Sequence, residues 1–371
     1  MNILITGAEG FIGRNLTAWL SRNPEHTVTG VDRNHAWAEI EAALQEADFV
    51  FHLAGVNRPQ SDAEFRTGNV DFTAQVCGVL QRRGQPVPIL LSSSIQADLD
   101  NPYGVSKREA EEVLARYAET AGAPVLIYRL KNVFGKWSRP HYNSVVATFC
   151  HNIARDLPIT ISDPERRLEL VYIDDVVEQF AAESSVSQRP GVAVHSVEPG
   201  YAVTLHELAE LLRSFRAMRQ SLRTPDLGNP FVHKLYATYL SYLPVDEFAY
   251  ALDKKCDPRG CLAEFIKSPG FGQIFVSRTL PGITRGNHYH HTKTEKFLVL
   301  EGEAVVRFRP LDGDKVIEYP VSGADFRVVD IPPGYTHSIE NTGDSELVTL
   351  FWADEIFDPS HPDTYALPVL A

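Results

Sequence analysis

Tyr103 and Lys107 lie four residues apart, just after Asn101-Pro102, and Ser94 closes the run Leu91-Ser92-Ser93-Ser94 shortly before them. Asn101 is a natural N-cap and Pro102 suits a first helical turn, so a helix is predicted to start here with Tyr103 and Lys107 on one face. A lysine ammonium beside a phenol favours the phenolate and draws its pKa from about 10 towards neutrality. Such a tyrosine can give or take a proton while a hydride moves at a carbonyl carbon, with the Ser94 hydroxyl holding the carbonyl oxygen.

Hydride transfer needs a carrier. Thr6-Gly7-Ala8-Glu9-Gly10-Phe11-Ile12-Gly13 directly follows the apolar run Ile3-Leu4-Ile5. Gly7 permits a tight turn, Gly10 lets a pyrophosphate approach the backbone, and Gly13 lets helix and strand pack closely. A helix opening at Phe11 and Ile12 then offers free amides and its positive end to the phosphates. Asp32, 19 residues after Gly13, can bind a ribose 2′-hydroxyl, which favours NAD. Arg33 beside it can pair with a 2′-phosphate, which favours NADP. Leu53-Ala54-Gly55 closes a third strand with residues small enough for a nucleotide to approach the backbone, and His52 before it reads as a core histidine.

A second constellation lies far downstream. His288 and His290 are two apart on a predicted strand and so share a face, a turn returns the chain to Glu295, and His337 follows Pro332-Pro333-Gly334. Three imidazoles and one carboxylate suit zinc, manganese, iron or nickel.

The elements that hold these groups differ between the two ends. Over the first 180 residues, short apolar runs such as Val28-Thr29-Gly30-Val31, Ile89-Leu90-Leu91 and Val125-Leu126-Ile127-Tyr128 alternate with helical stretches. That is the pattern of a doubly wound parallel sheet covered on both faces, a Rossmann-type α/β fold. Residues 204–222 read as an amphipathic helix, and residues 223–250, rich in Pro, Gly and Tyr, as the end of one domain and a connector. From about residue 262, β-branched and aromatic runs recur every 8–12 residues between Gly and Pro turns, which predicts an all-β barrel or sandwich. The expected domains are 1–243 and 244–371.

The first set of residues resembles the extended short-chain dehydrogenase/reductase family, over roughly residues 1–240. By position, Ser94, Tyr103 and Lys107 match its catalytic residues and Gly7, Gly10 and Gly13 its cofactor loop. Asn69-Val70, the run from Tyr128 to Gly135, and Val171-Tyr172-Ile173-Asp174-Asp175-Val176 match its later motifs. Its sugar 4,6-dehydratases carry adjacent acidic residues just after the serine position. Here that stretch is Ser94-Ile95-Gln96-Ala97, so the resemblance extends to ketone reduction or 4-epimerisation and not to dehydration. Residues 260–355 resemble the cupins. The stretch Arg285-Gly286-Asn287-His288 is also similar to the metal-free sugar 3,5-epimerases of that superfamily, whose histidine at the place of His288 is the base. His288 is thus ligand or base, His291 and Lys293 are further candidates for the base, and Lys296 either neutralises an enolate oxygen or is a solvated charge.

Taken together, the two halves resemble a family of bifunctional nucleotide-sugar enzymes of capsule and O-antigen synthesis. The resemblance implies that the cupin epimerises carbon 3 of a UDP-2-acetamido-2,6-dideoxy-4-hexulose with zinc bound. The reductase then reduces carbon 4 with NADPH, or with NADH, giving UDP-2-acetamido-2,6-dideoxy-L-talose on the route to UDP-N-acetyl-L-fucosamine. It also implies a homodimer, with Arg58, Lys131, Asn132, Lys136 and Tyr142 contacting the sugar nucleotide. Two other readings stay open: a single-activity reductase with a structural cupin, and a non-enzymatic regulator that binds NADP and metal.

Composition narrows the class of chain and its partners. The 371 residues are 44% hydrophobic and 22% charged, the mix of a packed globular chain. The formal charge is −13, of which the last 128 residues carry −8. An acidic chain without a basic block is a poor partner for nucleic acid or an anionic membrane. No apolar run approaches the ~18 residues of a membrane span, and the start lacks the basic and apolar regions of a secretion signal. Cys77, Cys150, Cys256 and Cys261 then read as reduced thiols of a cytoplasmic protein, without a zinc or redox role.

Overall fold

The computed structural model describes residues 1–186, 189–257, 260–263, 266, 272–355 and 358–370. These pack as two compact units, Met1–Ser144 with Arg167–Val203, and Val145–Arg166 with Thr204–Ala371.

The first unit is built on a six-stranded parallel sheet. In chain order its elements are β1 (Asn2–Thr6), α1 (Phe11–Leu20), β2 (Thr27–Val31), α2 (Trp37–Glu46), β3 (Phe49–His52), the single turn α3 (Ala63–Phe65), α4 (Phe72–Arg82), β4 (Ile89–Ser94), α5 (Pro102–Ala121) and β5 (Pro124–Leu130). Then follow β6 (Asn132–Phe134), β7 (Arg167–Tyr172), α7 (Ile173–Ser184), β8 (Gly191–His195) and β9 (Gly200–Thr204), with α6 (Val145–Ala154) belonging to the other unit. The sheet order is β2-β1-β3-β4-β5-β8, and β6, β7 and β9 form a small separate sheet. The expected Rossmann-type fold is present. Its apolar runs are continuous because both faces are covered. Leu4, Val50 and Leu91 pack with Ile40 and Leu44 of α2, Val76 and Leu80 of α4, and Leu114 and Tyr117 of α5. On the other face Phe51 stacks on Phe180 of α7, with ring centroids 6.4 Å apart.

The second unit joins helices to the barrel. α8 (Leu205–Ser221) matches the amphipathic prediction and opens with a capping box between Thr204 and Glu207. α9 (Pro230–Leu240) lies inside the stretch expected to be a connector. Val232, Leu235, Tyr236, Ala237, Tyr239 and Leu240 are all buried, so the helix is apolar on nearly every face and shows no 3.6-residue period. The legible signal was at its start: Asn229 accepts from the amides of Phe231 and Val232, and Pro230 takes the first position.

The barrel strands are β10 (Ala249–Ala251), β11 (Lys254–Asp257), β12 (Gly260–Ala263), β13 (Gln273–Thr279), β14 (Thr284–Tyr289), β15 (Glu295–Glu301), β16 (Glu303–Pro310), β17 (Ile317–Ser322), β18 (Arg327–Ile331), β19 (Tyr335–Asn341), β20 (Leu347–Ala353) and β21 (Tyr365–Ala366). They form two five-stranded sheets, β10-β18-β15-β20-β13 and β17-β16-β19-β14-β21, and β11 pairs with β12 as a hairpin. This is the all-β cupin-like part. The expected boundary between residues 243 and 244 falls inside the second unit. Cys77 and Cys150 are free and buried; the side chains of Cys256 and Cys261 lie outside the described residues. Among the described residues no helix is long and apolar enough to cross a membrane.

Candidate active site and metal centre

At the carboxyl end of β1 the chain turns through Gly7 (φ 72°) into α1. A Cβ on Gly7 would stand 2.7 Å from the Ala54 nitrogen, and one on Gly13 would stand 2.1 Å from the Gly7 carbonyl oxygen. These glycines therefore let β1, α1 and the end of β3 close on one another. No side chain caps the first turn of α1, at Phe11 and Ile12, so its amides are left for phosphate. This cradle fits a nicotinamide dinucleotide. The Leu53 amide donates to the Thr6 carbonyl (3.1 Å) and the Ala54 amide to the Thr6 hydroxyl (3.2 Å), fixing the strip on which a nucleotide would lie. Asp32 accepts the Glu9 amide (2.7 Å), and burial raises its carboxyl pKa despite that bond. Arg33 is exposed. His52 is a core histidine, bonded to the hydroxyls of Thr6 (2.8 Å) and Thr73 (2.9 Å) and pushed by burial down to about 3.

Ser94 ends β4, and its hydroxyl accepts the Gln96 amide, opening a 3-10 turn over Ile95–Asp98. Asn101 caps α5 through the Gly104 amide (2.8 Å). Gly104 is required, because a Cβ there would lie 2.1 Å from the Gln96 carbonyl oxygen. The seating of α5 on that turn brings Tyr103 to Ser94, and Lys107 sits 5.9 Å from the Tyr103 ring centroid. Lys107 is buried and donates to the Ser92 carbonyl (2.9 Å); burial lowers it to about 8, with Glu111 opposing the shift.

The phenol moves against expectation. Burial raises the pKa of Tyr103, and the hydrogen bond with Ser94 only partly offsets this. Desolvation of the phenolate outweighs an ammonium at that distance. Asn69, in a π-helical turn over Arg66–Asp71, accepts the Val56 amide (2.7 Å) and donates to the Ser106 hydroxyl (2.9 Å). It ties the strand-end loop to α5, and Gly55 passes close enough that a Cβ would lie 3.3 Å from Lys107 Nζ.

The residues expected to touch a sugar nucleotide are dispersed in role. The Arg58 guanidinium is exposed and lies 6.0 Å from the Tyr142 ring centroid. Lys131 pairs with Glu198 (3.1 Å), and Asn132 donates to the Glu169 carbonyl (3.1 Å). Lys136 is buried at 2% exposure against Asp174 (2.6 Å), so its ammonium is committed to the protein's own carboxylate.

In the barrel, His288, His290, Glu295 and His337 converge, with one donor atom from each lying within 4.8 Å of the others. A bulge makes this possible. The β14–β19 register passes from Gly286 opposite Ser338 to His288 opposite His337, leaving Asn287 (φ 56°) unpaired. The extra residue turns His288 onto the face of its cross-strand partner. Glu295 Oε2 lies 3.3 Å from His290 Nε2 and 3.5 Å from His337 Nε2, yet neither nitrogen has a hydrogen-bond partner. Ligands about 2.0–2.1 Å from a tetrahedral zinc stand at roughly that separation from each other, so the donor set fits a divalent cation. Burial would raise the Glu295 carboxyl, but the two imidazoles hold it well below its ordinary value.

Three expected members are not brought to this cluster. Successive strand residues face opposite ways, so Lys296 points away from the side chain of Glu295. Its ammonium is buried against the carboxylate of Asp330, with the Tyr250 hydroxyl 3.2 Å away. His291 packs instead on Tyr289 and Tyr365, with ring centroids 5.5 and 5.1 Å away. Lys293 donates to the Pro362 carbonyl (2.8 Å) and the Thr364 hydroxyl (2.7 Å). Sequence reasoning missed Asp363, whose carbonyl oxygen lies 2.6 Å from His290 Nδ1. It is 73 residues from its partner, and no local spacing announces it.

The chain matches the family model for the NAD dependent epimerase/dehydratase family over residues 3–186 and that for the polysaccharide biosynthesis C-terminal domain over residues 255–365. It is 46% identical over 369 residues to a UDP-2-acetamido-2,6-beta-L-arabino-hexul-4-ose reductase of Pseudomonas aeruginosa, covering 100% of this chain and 99% of that protein. The crystal structure of the capsular polysaccharide assembling protein CapF of Staphylococcus aureus is similar at a TM-score of 0.67 and 49% identity, covering 99% of this chain and 100% of that one. A UDP-glucuronic acid 4-epimerase from Bacillus cereus shares the fold over 58% of this chain and 83% of its own, at a TM-score of 0.53 and 20% identity.

Proposed function

The chain belongs to the same family as that UDP-sugar reductase and CapF, and on this premise we propose that it acts twice on one nucleotide sugar. The cupin part (proposed as 244–371) inverts carbon 3 of a UDP-2-acetamido-2,6-dideoxy-4-hexulose. The reductase part (1–243) reduces the 4-keto group to UDP-2-acetamido-2,6-dideoxy-L-talose, towards UDP-N-acetyl-L-fucosamine. One observation carries this reading: a Ser94–Tyr103–Lys107 group beside a dinucleotide cradle shares a chain with a convergent cluster of three histidines and a glutamate.

The 4-keto group acidifies the hydrogen on carbon 3, so both activities act on the same carbonyl. A bound nicotinamide cofactor would supply the hydride, and zinc, which His288, His290, Glu295 and His337 would hold, would supply Lewis acidity. Ser94 holds the carbonyl oxygen in the reductase site, and Tyr103 delivers a proton to it. With its pKa raised, the Tyr103 phenol is protonated at neutral pH, which is the form a proton donor needs. Lys107 supports the charge left on the phenolate. NADPH is the proposed carrier, since Asp32 is engaged with the Glu9 amide while Arg33 is exposed. A cytoplasmic homodimer completes the proposal.

The test is incubation of the 4-keto UDP-sugar in deuterated water without cofactor. Deuterium enters carbon 3, and NADPH addition then consumes the ketone. Reduction with no deuterium at carbon 3 overturns the epimerase half.

A further inference from the structure

We propose that Asp363 is the positioning residue of the metal centre, and that the strap formed by residues 358–370 is a working part of that centre. This rests on the reading of His288, His290, Glu295 and His337 as a divalent-cation site. The Asp363 carbonyl can only accept, so His290 Nδ1, 2.6 Å away, carries the proton. That fixes the tautomer and leaves the lone pair on Nε2, the atom facing Glu295.

The side chain of the same residue holds the connection between two ligands. Its carboxylate accepts three successive amides, those of His291 (2.9 Å), Thr292 (2.8 Å) and Lys293 (2.8 Å), and the Thr292 hydroxyl (3.0 Å). Those residues form the turn from His290 to Glu295. Asp363 has φ 34°, in the left-handed region that aspartate tolerates better than most residues.

The rest of the strap secures a third ligand. Ala366 pairs with His288 and Tyr365 with Tyr289. The Leu367 amide donates to the Asn287 carbonyl (2.8 Å) and the Val369 amide to the Asn287 side-chain oxygen (3.1 Å). Asn287 is the bulge residue that sets His288 opposite His337. The strap thus braces both the bulge and the turn, and Asp363 is where it meets the ligands.

Zinc affinity is read by competition against a colorimetric chelator, on the full chain. Asp363→Ala weakens it about ten- to a hundredfold, the span expected for a group one step behind a ligand. The visible absorption of the cobalt-loaded protein shifts as well, which a loss of stability elsewhere does not produce. NADPH binding, in the other unit, is unchanged and reports a folded chain. Asp363→Asn, whose side chain still accepts hydrogen bonds but without charge, falls between the two. Parent-like affinity and cobalt spectrum in Asp363→Ala overturn the proposal. Should that variant not fold, the same parent-like result in Asp363→Asn overturns it. If the parent chain itself takes up neither zinc nor cobalt, the metal reading fails before any substitution is made, and the proposal falls with it.

Discussion

At the scale of single residues, the environment of a group decides its chemistry as much as its identity. Tyr103 and Lys107 stand where their spacing places them, yet burial raises the phenol and lowers the ammonium to about 8. A lysine with a lowered pKa is charged below it, so its support for a developing phenolate is present at neutral pH and lost as pH rises through about 8. Reduction is therefore expected to fall along an alkaline limb near pH 8, while deuterium exchange at carbon 3 does not share it. Matching limbs for the two activities would remove Lys107 as the cause. Tyr103→Phe should lower NADPH oxidation by about a hundredfold or more and leave that exchange intact. Lys296 shows the same lesson in reverse. A lysine one residue from a ligand reads as an electrostatic catalyst, but strand alternation commits it to Asp330, which with Tyr236 and Tyr250 holds it above the ordinary lysine value despite burial.

At the scale of elements, end signals and close approaches place the site. α5 seats on the turn after β4 only because residue 104 has no Cβ. Gly104→Ala should displace Tyr103 from Ser94 and cut reduction by at least about tenfold, with zinc content unchanged; parent-like turnover would show that the turn yields instead. α9 depends on Asn229, which satisfies two amides of its first turn. Asn229→Ala is expected to cost about 1 kcal/mol of stability, read as a lower midpoint in urea, because an N-cap oxygen is worth that much. The helix was hidden from periodicity for a physical reason: a segment buried on nearly all sides has no polar face to alternate with.

At the scale of the whole molecule, the proposed function places two chemistries on separate sets of elements. Chelation of the metal should abolish carbon-3 exchange while an already epimerised 4-ketone is still reduced by NADPH; loss of both would refute that division. The sequence alone determined what is local. The glycine spacing, the Tyr103–Lys107 interval, the continuous apolar runs of the parallel sheet and the pair His288 and His290 are each carried within a few residues, so backbone geometry makes them legible. The convergence of His337 and Glu295 on that pair was legible too, because strands and turns have only a few ways to return. Tertiary structure decided the rest: the sign of the Tyr103 shift, the commitment of Lys136 and Lys296 to buried carboxylates, and the hold of Asp363 on His290. Those depend on desolvation and on partners tens of residues away, and neither burial nor long-range contact is written in the order of neighbours along the chain.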